Sequence, residues 1–209
     1  METAGAKPKI LVCLSGSVAV VKAPRLVVTL SQFAEVKVLI TKASEHFLER
    51  SEAYNPGAYA AYKALEPRPP VLSDADEWGA WDVVGDPVLH IEQLRNWADM
   101  ILIAPLSANT LAKLANGICD NLVTCVARAW DFTNPEKKFL VAPAMNTHMW
   151  VHPMTARHLS ILSDIGISVV EPQCKVLACG DRGVGALAEV ELIDGMVRSS
   201  LGLTPRNDL

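Results

Sequence analysis

At 209 residues, half of them apolar and a fifth charged, the chain can form one compact domain with a substantial buried core. A net charge of −4 supplies no global positive field, which argues against nucleic acid or an anionic membrane as partner. The opening METAGAKPKI lacks the apolar core of a secretory signal, and no apolar run reaches the roughly 20 residues of a membrane span, so a cytoplasmic protein is expected.

Lys9–Leu14 is a short apolar run without polar alternation, the pattern of a strand covered on both faces. Val36–Ile40, Met100–Ala104 and Phe139–Ala142 repeat it, and Ile167–Val170 is a weaker fifth. Helix-like segments lie between them at Val18–Ser31, Ala108–Ala115, Asn121–Trp130 and about Thr155–Asp164, the last closed by Gly166. Alternating strands and helices predict a single α/β domain over 9–203, with an open parallel sheet, helices on both faces and short tails at 1–8 and 204–209. Residues 49–70 hold five alanines, three tyrosines and four prolines, and Pro67, Pro69 and Pro70 predict an excursion with at most one helical turn. Pro24 falls inside a predicted helix, where it is a cost.

Polar turns follow the strands. Ser15-Gly16-Ser17 ends the first strand at a helix N-terminus, a geometry that binds phosphate through free amides and two hydroxyls, although it also serves as an ordinary cap. Thr41-Lys42-Ala43-Ser44 follows the second strand, and Pro105-Leu106-Ser107-Ala108-Asn109-Thr110 the third, so three polar strand ends face one crevice. After the fourth strand, Asn146 sits among Met145, Met149 and Trp150, where an amide can read a polar ligand edge in dry surroundings or simply be a satisfied loop residue. Cys179 precedes a glycine-rich stretch, Gly180 to Gly185, that is read as a mobile substrate flap over 171–188. His90 lies in Asp86-Pro87-Val88-Leu89-His90-Ile91-Glu92 at a predicted helix start and can move protons near neutral pH.

Five cysteines, an odd number with no CxxC pair, point to reduced thiols rather than a disulfide framework or structural zinc. Gly183-Val184-Gly185-Ala186-Leu187-Ala188 matches a dinucleotide fingerprint but lies too near the C-terminus for a mononucleotide-binding half to follow. His148 and His152 have helical spacing but no third ligand, so no metal is assigned.

In family order, Ser-Gly-Ser, Asp-Pro-Val-Leu-His-Ile-Glu, Pro-Leu-Ser-Ala-Asn-Thr, Pro-Ala-Met-Asn-x-x-Met-Trp and Leu-Ala-Cys-Gly-Asp resemble the homo-oligomeric flavin-containing cysteine decarboxylases over Lys9 to Ile193. The likeness is nearest to the branch that acts on 4'-phosphopantothenoylcysteine in coenzyme A synthesis. It implies a Rossmann-like flavoprotein assembled as a homotrimer, with each FMN near a subunit boundary. FMN contacts are implied at Gly16, Ser17, Val18, Thr41, Lys42, Ala43, Ser44, Ser107, Ala108, Asn109, Thr110 and Ala144. His90 and Cys179 are implied as catalytic, and Asn146, Met149, Val176, Ala178 and Leu187 as substrate contacts. The position of Val176 is often basic in the family, and Lys175 is the neighbouring cation.

Direct loss of carbon dioxide from a cysteine amide leaves an unstabilised carbanion, so an electron sink is needed. With FMN, which the resemblance implies, taking hydride from the thiol-bearing carbon, a thioaldehyde would provide it; carbon dioxide would leave to give an ene-thiolate, and the same hydride returned with a proton would give a saturated thiol. Cys179 is the expected proton donor, because a thiol of pKa about 8.5 is mostly protonated at neutral pH. His90 is expected to assist the oxidation or orient the carboxylate, and Asn146 to anchor that carboxylate. Two other readings share the fold: a regulator with a protein phosphatase as partner, and an oxidative decarboxylase of peptide C-terminal cysteines. Retention of His90, Asn146 and Cys179 favours the first enzyme over both.

Overall fold

The computed structural model describes residues 6–79, 81–176 and 182–204. Its centre is a six-stranded parallel sheet made of β1 (Lys9–Leu14), β2 (Glu35–Ile40), β3 (Val71–Leu72), β4 (Met100–Leu106), β5 (Lys138–Pro143) and β6 (Ser168–Val169). The spatial order is β3-β2-β1-β4-β5-β6, so the chain moves outward from β1, then returns to lay β4 on its other side. Successive side chains enter opposite cores: Ile10, Val12 and Leu14 one, Leu11 and Cys13 the other. Central strands are therefore apolar at every position after the lysines that open β1 and β5, and each fully buried leucine or isoleucine contributes about 1.5–3 kcal/mol.

One core is covered by α1 (Ala23–Ser31) and α10 (Val190–Ser200), through Leu26, Leu30, Ile193 and Val197. The other is covered by α6 (Ala108–Ala115), α7 (Leu122–Arg128) and α9 (Pro153–Asp164), through Leu111, Val126 and Leu162. The predicted helix Val18–Ser31 is in fact a 3-10 turn, Val18–Lys22, followed by α1. Pro24 consequently falls in the first turn of α1, where its missing N–H costs no hydrogen bond.

The excursion is more regular than its prolines predict. After α2 (Lys42–Leu48) come α3 (Ser51–Tyr54) and α4 (Pro56–Lys63), and α4 packs on α1. Asn55 caps α4 by accepting from Ala58 N at 3.0 Å, and Pro56 opens it at a position that needs no donor. The alanines then favour helix, and only the run from Glu66 to Pro70 is irregular before β3.

Beyond β3 lie α5 (Asp74–Gly79) and a single helical turn of wide pitch, His90–Arg95. The turn after β5 carries α8 (Thr147–Trp150). An antiparallel hairpin, β7 (Gln173–Val176) with β8 (Arg182–Ala186), occupies the stretch read as a glycine-rich flap. Gly185, at φ +105°, brings β8 onto the β5 turn: Met145 N donates to Gly185 O at 2.9 Å, Thr147 Oγ1 donates to Val184 O at 3.0 Å, and a β-carbon at 185 would lie 2.6 Å from Met145 O. Among the described residues no helix is long and apolar enough to cross a membrane.

Candidate active site

The reversal of strand order between β1 and β4 opens a crevice at their carboxyl ends, the place where open α/β sheets bind ligands. A cleft of about 610 Å³ fills it, within the size range of cofactor sites. Gly16, Ser17 and Val18 line it from the turn after β1, and Ser107, Ala108 and Asn109 from the turn after β4. Ala144, Asn146 and Met149 come from the turn after β5, and Leu187 from the end of the hairpin.

The local sequence explains each placement. Ser17 is extended (φ −137°, ψ 145°) and its hydroxyl accepts from Ala19 N at 3.3 Å. Gly16 is required because a β-carbon there would meet Ala43 Cβ at 2.7 Å, so the two turns touch. Ser107 caps α6 by accepting from Thr110 N at 3.2 Å, which leaves the other first-turn amides of α6 at the cleft. Asn146 Oδ1 accepts from His148 N at 2.9 Å, so the amide N–H2 is its remaining polar end. Val18 and Met149 are 67% and 49% exposed, apolar surface suited to a flat ring or a covering chain.

Several expected residues lie elsewhere. Ser15 is fully buried: its hydroxyl donates to Pro105 O and accepts from Ser107 N, both at 2.8 Å, so it locks β1 to β4 and has no proton left for phosphate. Ser44 is a correction of the same kind, its hydroxyl lying 2.8 Å from Leu14 O and 2.7 Å from Thr41 O in a buried first turn of α2. Thr110 is buried beside Ser107 in the α6 cap, and Thr41 is buried at the N-cap of α2. Lys42 and Ala43 are exposed, and Ala43 reaches the cleft through its contact with Gly16. The backbone of Val176 lies in β7, whereas Ala178 and Cys179 fall outside the described residues.

His90 does not line this cleft. It pairs instead with Glu77 of α5, Nδ1 to Oε1 at 2.6 Å, and its backbone N–H donates to Glu77 Oε2 at 3.0 Å. Sequence reading missed Glu77, which lies with His90 outside the cleft, and Lys22 and Phe47, which line it. Lys22 stands four residues beyond Val18, at the end of the 3-10 turn, and it ion-pairs with Glu189 at 3.9 Å. Phe47 carried no signal in the sequence.

Comparison with known proteins matches residues 1–202 to the Flavoprotein family. The chain belongs to that family. It is 50% identical over 201 residues to the phosphopantothenoylcysteine decarboxylase of Oryza sativa subsp. japonica, spanning 96% of this chain and 84% of the rice protein. The structure of a PPC decarboxylase variant complexed with pantothenoylaminoethenethiol superposes with a TM-score of 0.80 at 48% identity, covering 92% of this chain and 97% of that one. The FMN binding protein AtHal3 gives 0.80 at 49% identity, with 92% and 96% covered. The family resemblance read from the motifs and the single-domain α/β fold are thereby borne out.

Proposed function

We propose that the protein is an FMN-dependent decarboxylase that converts 4'-phosphopantothenoylcysteine to 4'-phosphopantetheine in coenzyme A synthesis. One observation carries this reading: Ser17, Asn109 and Asn146 meet around a single cleft in a chain half identical, along nearly its whole length, to a phosphopantothenoylcysteine decarboxylase.

The residues fit FMN. Gly16 and Ala43 leave backbone close to the cavity, and Ser107, Ala108 and Asn109 offer the N-terminal amides of an eight-residue helix to an anion. Val18 and Ala144 give apolar walls, and Thr41 and Lys42 belong to the turn that Ala43 brings against Gly16. When bound, FMN supplies reversible removal of hydride from the thiol-bearing carbon, so the overall reaction is redox-neutral. Asn146 donates through its amide N–H2 to the substrate carboxylate, and Met149 and Leu187 exclude water. Val176 and Ala178 border the substrate, and Cys179 returns a proton to the ene-thiolate.

His90 acts on the cleft of a neighbouring subunit in a homotrimer. Supporting this, His90 lies away from its own cleft, and Trp78, Trp81, Val83 and Val84 are 74%, 43%, 59% and 94% exposed in the segment leading to it. The described cysteines Cys13, Cys119, Cys125 and Cys174 are free thiols, in keeping with a cytosolic location.

The test is purified protein given phosphopantothenoylcysteine or a cysteine-ended peptide, with flavin followed by absorbance and products by mass. Saturated phosphopantetheine from the first substrate alone is expected, and Cys179→Ser should retain flavin while the oxidised, decarboxylated product accumulates. A colourless protein that refuses FMN yet turns over the substrate would overturn the proposal. Light scattering reads the trimer, and coexpression of inactive His90→Asn with inactive Asn146→Ala should restore part of the activity in mixed oligomers. A phosphatase-inhibition assay on the same preparation tests for a regulatory partner.

A further inference from the structure

We propose that Glu77 is the positioning residue of His90, fixing which ring nitrogen exchanges a proton in the active site; the proposal rests on the catalytic reading of His90. Both oxygens of one carboxylate serve one residue, Oε2 taking the His90 backbone N–H at 3.0 Å and Oε1 the ring Nδ1 at 2.6 Å. An ionised carboxylate can only accept, so Nδ1 carries the proton and Nε2 is the nitrogen left to act. The Glu77 side chain is 11% exposed and that of His90 24%, so the contact is shielded from water on the carboxylate side while the ring stays accessible.

Glu77 is itself held by its neighbours. Asp74 Oδ1 accepts from Leu122 N at 2.6 Å and so fastens α5 to the first turn of α7. Asp76 Oδ2 accepts from Ser73 N at 2.7 Å and Ser73 Oγ at 2.9 Å, closing the start of α5. The acidic segment from Asp74 to Glu77 is thus a brace with each carboxylate committed, and only that of Glu77 reaches a group able to move protons at neutral pH. Capping of the turn at His90–Arg95 would use one oxygen; the second, on the ring, is what a structural role leaves unexplained.

Glu77→Gln separates the two roles, because its carbonyl still accepts from the backbone amide whereas its NH2 donates to Nδ1 and drives the proton to Nε2. With phosphopantothenoylcysteine, this variant is expected to lose about a hundredfold in kcat, the low end of general acid–base contributions, while KM and FMN content stay near wild type. Nitrogen NMR on histidine-labelled wild-type holoenzyme should show His90 with Nδ1 protonated and Nε2 bare, and the variant should show the reverse. Unchanged kcat in Glu77→Gln, or an Nε2-protonated ring in the wild type, overturns the proposal. Should the variant fail to fold, the wild-type tautomer still decides. Full turnover by His90→Asn would remove the catalytic reading of His90 and this proposal with it; loss of turnover there beside an unaffected Glu77→Gln removes this proposal alone.

Discussion

Ser15 and Pro105 join the two parallel strands between which the strand order reverses, the Ser15 hydroxyl donating to Pro105 O at 2.8 Å and its amide to the same oxygen at 3.2 Å. The hydroxyl also takes the Ser107 N–H at 2.8 Å, so one buried side chain fixes the spacing of the β1 and β4 turns. Ser15→Ala leaves the Ser107 amide buried without that acceptor, a loss of about 1–3 kcal/mol. Melting of the FMN-free variant is the clean measurement, since ligand would mask part of the change. A melting temperature equal to wild type would show that the lock is dispensable.

Contact between the Gly16 and Ala43 turns leads to a paired test. In Gly16→Ala the new β-carbon meets Ala43 Cβ at 2.7 Å, and the turns must separate. FMN content is expected to fall, with a smaller fall in stability. Gly16→Ala combined with Ala43→Gly removes the colliding atom, and the next atoms of residue 43 lie at 3.9 Å, so flavin uptake should recover. Failure of the double variant to recover would mean that Gly16 serves backbone freedom rather than close approach.

The central strands were legible because β1, β4 and β5 are buried on both faces and so read as unbroken apolar runs. The edge strand β3 was not, because it has two residues and is fastened through Val38 N to Pro70 O, a pairing with no sequence pattern. In the excursion, Pro67, Pro69 and Pro70 were read as spoiling a whole segment when they only end it. At the site, the turns after β1 and β4 do line the cleft, but sequence could not tell a hydroxyl-bearing residue that lines it, as at Ser17, from one whose hydroxyl is consumed by backbone, as at Ser15 and Ser44. Glu77 was invisible for a related reason: its meaning comes from a residue 13 positions away.

Asn146 has two separable duties, capping α8 through Oδ1 and offering an amide to the cleft. Asn146→Asp keeps an oxygen for the His148 amide and a good cap, but replaces the donor with a negative charge facing the substrate carboxylate. Stability should change by less than about 0.5 kcal/mol and FMN content little, while decarboxylation drops by about a hundredfold or more. Asn146→Ala should lower turnover similarly and stability further. Equal losses of turnover and flavin in both variants would point to a folding role.

Cys13 should make stability depend on alkaline pH. The side chain is fully buried beneath the β1 turn, and loss of solvation pushes its thiol far above the ordinary range. In the unfolded chain the same thiol ionises near pH 8.5, so above that pH the unfolded state loses a proton that the folded state keeps. This contribution is complete below pH 8.5 and declines as pH rises, by at most about 1.4 kcal/mol per pH unit. Denaturant unfolding of wild type and Cys13→Ala between pH 8 and 10 isolates it: the variant starts less stable, from the lost packing, but its curve should fall less steeply. Parallel slopes would show that Cys13 ionises in the folded protein. Alkylation at pH 8 gives an independent reading, because exposed Cys119 and Cys174 should label first, Cys125 more slowly since burial foremost raises its thiol, and Cys13 only in denaturant.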